Sequence, residues 1–156
     1  MLNFYHWEPE NAKAAIVISH GWSEHAGRYQ NIAKWFNEQG YAVYALDHRG
    51  HGKSEGKRGH VRRWSDYARD LELLRSRVQY EKQYLLGHSM GGMVGIVHAL
   101  DYPEQFSAMA LSSPASDISI PVPKIKQFLG NAMSAWLPRL TIANDIDPNV
   151  VCSDPK

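Results

Sequence analysis

The 156-residue sequence has one cysteine, no long apolar run and almost no net charge, and each absence excludes a class of protein. The single Cys152 excludes an internal disulfide and a zinc site made of cysteines, and it favours a reducing, intracellular location. The apolar runs are too short for a transmembrane helix, and the first residues lack the basic start and apolar stretch of a signal peptide. We therefore expect a cytoplasmic protein.

The formal net charge of +1 does not suggest a nucleic-acid-binding protein, but residues 48–63 are locally basic. This stretch contains six cationic residues against the single carboxylate of Glu55. The cationic residues are Arg49, Lys53, Lys57, Arg58, Arg62 and Arg63. Two interpretations follow: a solvated loop, or a patch that meets anionic lipid head groups or a phosphate on a substrate. Contact with a membrane would then be peripheral.

Short continuous apolar runs alternate with helical patterns along the first two thirds of the chain. The runs 14–18, 41–46, 84–86 and 106–111 lack strict alternation, which is typical of parallel strands covered on both faces. Helical patterns span 29–38, the stretch from Trp64 to Val78, where Ser65 is the expected N-cap, and 90–100. This order predicts an α/β fold with a doubly wound, mostly parallel sheet.

After Leu111 the pattern changes, and we place a boundary near Pro114. Residues 1–113 are expected to form the core, and residues 114–156 a separate segment. Within that segment, apolar residues recur at helical spacing from Ile125 to Leu137. This amphipathic stretch fits either a lid that touches a membrane or a helix packed on the core.

The most specific motif is Gly87-His88-Ser89-Met90-Gly91, which follows a predicted strand and begins a predicted helix. This is the context of a nucleophile elbow, in which Ser89 lies on a sharp, strained turn between closely packed elements. The N-terminus of the helix directs its N–H groups toward an oxyanion formed by attack of Ser89 on a carbonyl. The alternative is a tight turn whose serine only caps the helix.

Three segments together resemble the monoacylglycerol lipase and lysophospholipase branch of the α/β-hydrolase superfamily, whose bacterial members are often labelled serine aminopeptidase-like. The segments are His20-Gly21-Trp22-Ser23-Glu24-His25-Ala26-Gly27-Arg28-Tyr29, Asp47-His48-Arg49-Gly50-His51-Gly52-Lys53-Ser54-Glu55-Gly56 and Gly87-His88-Ser89-Met90-Gly91-Gly92. The resemblance implies an α/β-hydrolase sheet and cofactor-free hydrolysis of a long-chain acyl ester. It also implies that Ser89 is the nucleophile and that the N–H groups of Trp22 and Met90 form the oxyanion hole. Residues from Pro114 on look like the start of the cap.

The family's aspartate and histidine follow later strands beyond the cap, so the resemblance covers an N-terminal half that stops within the cap, without those two triad members. His98 lies nine residues along the helix that Ser89 begins, about 13 Å away and too far to act as the base. His20, His48 and His51 look structural in the family. An inactive remnant or interaction module of the same fold is the second hypothesis, and an open sheet edge would favour self-association.

Two further classes of site are rejected on the spacing of residues. His48 and His51 lie in a glycine-rich loop with only Asp47 nearby, which argues against a zinc site. Gly52-Lys53-Ser54 is not a P-loop, because Asp47 stands where the first glycine is required. We expect no metal, no cofactor and no nucleic acid, and a small acyl ester or lipid as the substrate.

Overall fold

A five-stranded, mostly parallel sheet with helices on both faces forms the part of the chain that the structure describes, residues 1–116 of a computed structural model. The strands are β1 (Phe4–Trp7), β2 (Ala14–Ser19), β3 (Tyr41–Leu46), β4 (Gln83–His88) and β5 (Ala108–Ser112). The helices are α1 (Gln30–Glu38), α2 (Trp64–Arg75) and α3 (Met90–Asp101), and a short 3-10 helix at Ala26–Tyr29 precedes α1.

The sheet order is β1-β3-β2-β4-β5, and only β1 runs antiparallel to its neighbour. Strands β3, β2, β4 and β5 are parallel, so their carboxyl ends lie at one edge of the sheet. The predicted α/β class and doubly wound, mostly parallel sheet are therefore confirmed. The four predicted strand runs correspond to β2, β3, β4 and β5, whereas β1 is a fifth strand that joins the sheet through pairing with β3.

Two apolar layers, one on each face of the sheet, explain why β2 is buried along its whole length. Ala15 and Val17 of β2 face a cluster with residues of α2 and α3, while Ile16 and Ile18 face a cluster that includes Ala33 of α1. Burying each large aliphatic side chain stabilises the fold by about 1.5–3 kcal/mol. Successive side chains of the strand point to opposite faces of the sheet, and both faces are covered by apolar layers. This is why the strand sequence does not alternate between apolar and polar residues.

Two local expectations differ from the structure. Ser65 does not cap α2, because Arg63 holds the extended N-cap position and its carbonyl accepts the N–H of Asp66 at 2.9 Å. Strand β5 is largely exposed, and Met109 at its centre keeps 40% of its surface, whereas a strand covered on both faces was predicted. No helix within residues 1–116 is long and apolar enough to cross a bilayer. The amphipathic stretch at 125–137, for which a lid and a packed helix were both considered, and Cys152 lie outside the described residues.

Candidate active site

The three motifs of the sequence meet at the carboxyl edge of the parallel sheet. His20-Gly21-Trp22 follows β2, the segment 47–56 follows β3, and Ser89 follows β4. A Cβ built on Gly21 would lie only 3.3 Å from Cβ of Ser89 and 3.3 Å from Cδ2 of His88. The loop after β2 is therefore in contact with the turn that carries Ser89.

Ser89 occupies a left-handed backbone conformation, with φ of 50° and ψ of −117°, between β4 and α3. For a residue with a side chain such a conformation costs about 1–3 kcal/mol and persists only when its surroundings hold it. The Ser89 N–H donates to the carbonyl of Ser112 at 2.9 Å, and its carbonyl accepts from Gly92 at 3.0 Å and Ala115 at 3.1 Å. Strand β5 and the residues after it thus brace the turn.

Gly87 and Gly91 allow the close approach that the turn requires. A Cβ on Gly91 would lie 1.9 Å from the carbonyl oxygen of Ser19 at the end of β2, so any side chain at this position would clash with the backbone of β2. A Cβ on Gly87 would lie 2.8 Å from the carbonyl oxygen of Gly91. The two glycines of the motif therefore set how near α3 begins to the sheet.

Three polar groups around this turn have no hydrogen-bond partner within residues 1–116. They are the hydroxyl of Ser89 and the backbone N–H groups of Trp22 and Met90. Met90 is the first residue of α3, so its N–H is one of the donors that a helix leaves unused and lies at the positive end of the helix dipole. The site therefore has one hydroxyl group and two N–H donors that are free to form hydrogen bonds with a bound molecule.

Glu24 holds the loop after β2 in place. Its carboxylate accepts the backbone N–H of Gly21 and the hydroxyl of Tyr29, the latter at 2.8 Å, and it pairs with Arg28 at 3.3 Å. Burial, and then the hydrogen bond to Glu24, raises the pKa of Tyr29 well above its ordinary value. Tyr29 therefore remains a hydrogen-bond donor, and the carboxylate fixes the backbone next to the N–H of Trp22.

His20 and His48 connect the loops after β2 and β3 through a hydrogen bond whose direction is settled by the backbone. The N–H of His48 donates to Nε2 of His20 at 3.0 Å, so Nδ1 of His20 carries the proton and donates to the carbonyl of Gly21 at 2.8 Å. Burial lowers the pKa of His20. Its neutral imidazole is therefore a bridge between two backbones, in keeping with the structural role that the family resemblance implies.

His48 and His51 complete this cluster. Nε2 of His48 lies 2.9 Å from the hydroxyl of Ser19, and Nδ1 of His51 donates to the carbonyl of Arg49 at 3.2 Å. Burial first, and then the neighbouring histidines, hold the pKa of His48 well below its ordinary value, and burial also lowers the pKa of His51. We therefore expect all three rings of the cluster to be neutral near pH 7.

Asp47 anchors the loop after β3, a role that the sequence analysis missed. Its buried carboxylate accepts the backbone N–H groups of Ala26 and Lys53, each at 2.8 Å, and Nδ2 of Asn3 at 2.9 Å. Gly52, with φ of 49°, packs so closely that a Cβ there would lie 2.3 Å from this carboxylate. An aspartate directly after a strand and before a glycine-rich loop is the signal that could have indicated such an anchor.

The side chain of Arg49 binds two carboxylates, so the basic stretch is not wholly solvated. Arg49 makes two hydrogen bonds to the carboxylate of Asp70, at 2.6 and 2.7 Å, and lies 3.6 Å from Asp66. These contacts tie the segment to α2. The other five cationic side chains of the stretch are exposed, which both interpretations require.

The remaining histidines do not supply a base to Ser89 within residues 1–116. His98 is buried and hydrogen-bonds Glu72 of α2 at 2.8 Å, so its ring is bound to a carboxylate of another helix. His88 contacts the hydroxyl of Ser112 at 3.3 Å. His25 is exposed and His60 is half-buried, and neither makes a side-chain hydrogen bond to another described residue. In the same range no group of three or more acidic, histidine or cysteine residues could hold a metal ion.

Comparisons with known proteins agree on one family. The family model described as serine aminopeptidase, S33 matches residues 10–156. Monoacylglycerol lipase from Mycolicibacterium smegmatis is 37% identical over 96% of this chain and 55% of its own length, and monoglyceride lipase from Rattus norvegicus is 42% identical over 70% of this chain and 38% of its own. The crystal structure of monoacylglycerol lipase from Paleococcus ferrophilus superposes with a TM-score of 0.87 at 32% identity, over 99% of this chain and 59% of that one.

The chain therefore spans about half the length of the relatives that it matches. Both the sequence match and the structural match run almost the whole length of the chain, including the three motifs at the carboxyl edge of the sheet.

Proposed function

The chain belongs to the serine aminopeptidase S33 family of α/β hydrolases, and from this premise we propose that it is a serine hydrolase of carboxylic esters. Its substrate is a monoacylglycerol or a lysophospholipid-like acyl ester, and it uses no cofactor. The names of the relatives support this choice, since they include monoacylglycerol lipases and a lysophospholipase from Escherichia coli. Substrate and activity are proposals for this chain, which covers about half of those proteins.

One observation carries the proposal: an uncommitted serine hydroxyl on a strained turn next to two uncommitted backbone N–H groups. In most folded proteins the great majority of polar groups near the core have partners. A serine and two N–H donors left free at one place are the groups that acyl transfer needs, one as nucleophile and two for the oxyanion. We assign these roles to Ser89, Trp22 and Met90.

In the proposed reaction, Oγ of Ser89 bonds to the ester carbonyl carbon and its proton passes to a general base. The carbonyl oxygen becomes an oxyanion and accepts the N–H groups of Trp22 and Met90, which are worth about 3–4 kcal/mol each in comparable sites. The bond to the glycerol oxygen then breaks, the alkoxide receives the proton, and water hydrolyses the acyl-enzyme. We propose that the base histidine and its aspartate belong to the part of the relatives' length that this chain does not span.

The test is intact-mass spectrometry and peptide mapping of the protein after incubation with a fluorophosphonate probe. We expect one adduct, located on Ser89 and absent in Ser89→Ala. The matched control is Ser112→Ala, since the hydroxyl of Ser112 lies at the same edge of the sheet and contacts His88. An adduct that persists in Ser89→Ala, or that maps to Ser112, would contradict the assignment of the nucleophile.

A catalytically inactive member of the same fold is the alternative, favoured by the absence of a base for Ser89 within residues 1–116. Measurements on a sample shown to be folded distinguish the two hypotheses. Release of fatty acid from monoacylglycerol vesicles supports the hydrolase, whereas a protein that shows neither adduct nor release supports the inactive module.

We also propose that the chain self-associates through β5. No described strand pairs with the outer edge of β5, and Met109 is 40% exposed there. Sedimentation velocity of Met109→Lys is expected to show less association than the wild type. Leu73→Lys is the matched control, because Leu73 on α2 is equally exposed, at 41%; an equal effect of both substitutions would argue against an interface at β5.

A further inference from the structure

Two half-exposed indole rings border the basic segment at the edge of the sheet that carries Ser89. Trp22 is 49% exposed and Trp64 is 43% exposed. The ring of Trp22 meets His51 edge to face, with centroids 5.2 Å apart, and a Cβ on Gly59 would lie 3.1 Å from its Cζ2. Trp22 therefore lies against the segment that follows β3, while its neighbour Gly21 contacts Ser89.

The second indole belongs to the same cluster of rings. Trp64 packs on Tyr67, with centroids 5.9 Å apart, and Tyr67 lies 6.4 Å from His51. His51 thus contacts both Trp22 and Tyr67, and the two indoles are linked through the buried rings of His51 and Tyr67. Each indole keeps a large apolar surface in solvent although buried neighbours hold it in place.

The segment between the two indoles, residues 53–63, is strongly basic. It carries five exposed cationic side chains against one carboxylate, that of Glu55, which pairs with the N-terminal ammonium group. The cationic residues are Lys53, Lys57, Arg58, Arg62 and Arg63. A surface of this composition attracts anions and repels other cations.

Three arginines outside this segment are neutralised by carboxylates, and Arg62 and Arg63 are not. Arg49, Arg69 and Arg75 each pair with a carboxylate of α2. Within residues 1–116 the side chains of Arg62 and Arg63 lie near no carboxylate, and Arg58 donates only to the carbonyl of Gly52, at 2.9 Å. The positive charges of Arg62 and Arg63 are therefore available to a partner.

We propose that Trp22, Trp64 and the basic segment 53–63 form a docking surface for an anionic lipid bilayer. Indole rings favour the membrane–water interface, where the ring is apolar and its N–H stays wet, and each lysine or arginine near an anionic surface adds attraction. A soluble polyanion would use the charges but gives no reason for two exposed indoles. Docking by this surface presents the turn of Ser89 to the lipid. The inference goes beyond the proposed function, because binding requires no hydrolysis.

The first experiment is co-sedimentation with vesicles of phosphatidylcholine alone and of phosphatidylcholine with about 30% phosphatidylserine, on the whole protein. We expect binding to the anionic vesicles that falls with added salt. The double variant Arg62→Gln/Arg63→Gln should bind about 25-fold more weakly, since each cation near such a surface contributes roughly fivefold. The matched control, Lys34→Gln/Lys82→Gln, removes the same charge from exposed residues of α1 and of the loop before β4 and should bind like the wild type.

The second experiment locates the indoles by quenching of tryptophan fluorescence with brominated lipids in the anionic vesicles. Trp64→Phe should lose part of the quenchable signal. Trp35→Phe should not, because Trp35 is similarly exposed, at 54%, but lies on α1 away from the basic segment.

The proposal is overturned by absence of vesicle binding, by equal binding to neutral vesicles, or by equal losses in the two double variants. Preference for heparin with no binding to vesicles would instead assign the surface to a soluble polyanion and also overturn it. Labelling of Ser89 by fluorophosphonate, measured on the same samples, reports the proposed function separately from docking.

Discussion

Asp47 and Ser89 follow parallel strands at the same edge of the sheet, yet their side chains have opposite surroundings. The carboxylate of Asp47 is buried and accepts three hydrogen bonds from Ala26, Lys53 and Asn3. The hydroxyl of Ser89 has no partner within residues 1–116, and its backbone is in a strained conformation. One residue uses its polar atoms to hold loops, and the other keeps its polar atom free.

The difference shows how a site can be rigid and still leave polar groups unpaired for the proposed chemistry. Hydrogen bonds of Asp47, His20 and Glu24 fix the backbone around the turn, so that Ser89 and the N–H of Trp22 keep their positions without bonding to each other. Preorganised donors of this kind need no rearrangement when charge develops. Substitutions at the two kinds of position should therefore separate activity from stability.

The largest expected effect is on activity in Ser89→Ala. Where the base and the aspartate proposed above are present, we expect ester hydrolysis to fall by a factor of about 10⁴ or more, as for loss of the nucleophile in serine hydrolases, while the free energy of unfolding changes by less than about 0.5 kcal/mol. Initial rates with a monoacylglycerol and urea denaturation measure the two quantities. A variant that retains most of the activity would mean that Ser89 is not the nucleophile.

The next largest effect is on stability in Gly91→Ala. The added Cβ would lie 1.9 Å from the carbonyl oxygen of Ser19, a backbone atom that cannot move alone, so we expect a loss above about 4 kcal/mol. Gly95→Ala in the same helix is the control, because its Cβ would meet the side-chain end of Leu85 at 2.7 Å, which can rotate. Equal losses of stability in the two variants would show that the approach of α3 to β2 is not the cause.

Asp47→Asn should mainly affect stability, by about 3 kcal/mol, because the amide cannot accept on both sides and leaves buried donors unpaired. Thermal or urea denaturation checks this. Glu10→Gln changes an exposed carboxylate in the same way and should change stability by less than about 0.5 kcal/mol. If Asp47→Asn were tolerated as well as Glu10→Gln, the proposed anchoring of the loops would be refuted.

The smallest effect for a single side chain is a pH dependence of stability. Burial lowers the pKa of His20, His48, His51 and His98 below the ordinary value of 6.5. Below pH 6.5 these histidines are therefore protonated in the unfolded chain but remain neutral in the folded chain until a lower pH. The free energy of unfolding falls as the pH is lowered, by up to about 1.4 kcal/mol per pH unit for each histidine.

Urea denaturation between about pH 5 and 7 measures this slope. His48→Asn should make it shallower, and replacement of the exposed His6 by glutamine should leave it unchanged. A slope that is flat in the wild type would mean that these rings are protonated in the fold.

The sequence by itself determined the order of strands and helices and the turn at Ser89, since these depend on residues close together in the chain. Apolar runs predicted β2 to β5, and the spacing of Gly87, Ser89 and Gly91 predicted a strand, a turn and a helix. The family could also be predicted, because the three motifs stand in a specific order. The local signal failed at Ser65, where the carbonyl of Arg63 rather than a serine hydroxyl receives the first helical N–H.

Only the tertiary structure decided which polar groups are used and which stay free. Asp47 reaches Asn3 across 44 residues, and His20 reaches His48 across 28. No local pattern encodes such pairs, because a hydrogen bond depends on where packing brings two loops. The same holds for Trp22, whose ring the fold places against Gly59 beside the basic segment. Local residue types set the elements, and the packing of the sheet edge decided which side chains became anchors and which remained available for chemistry.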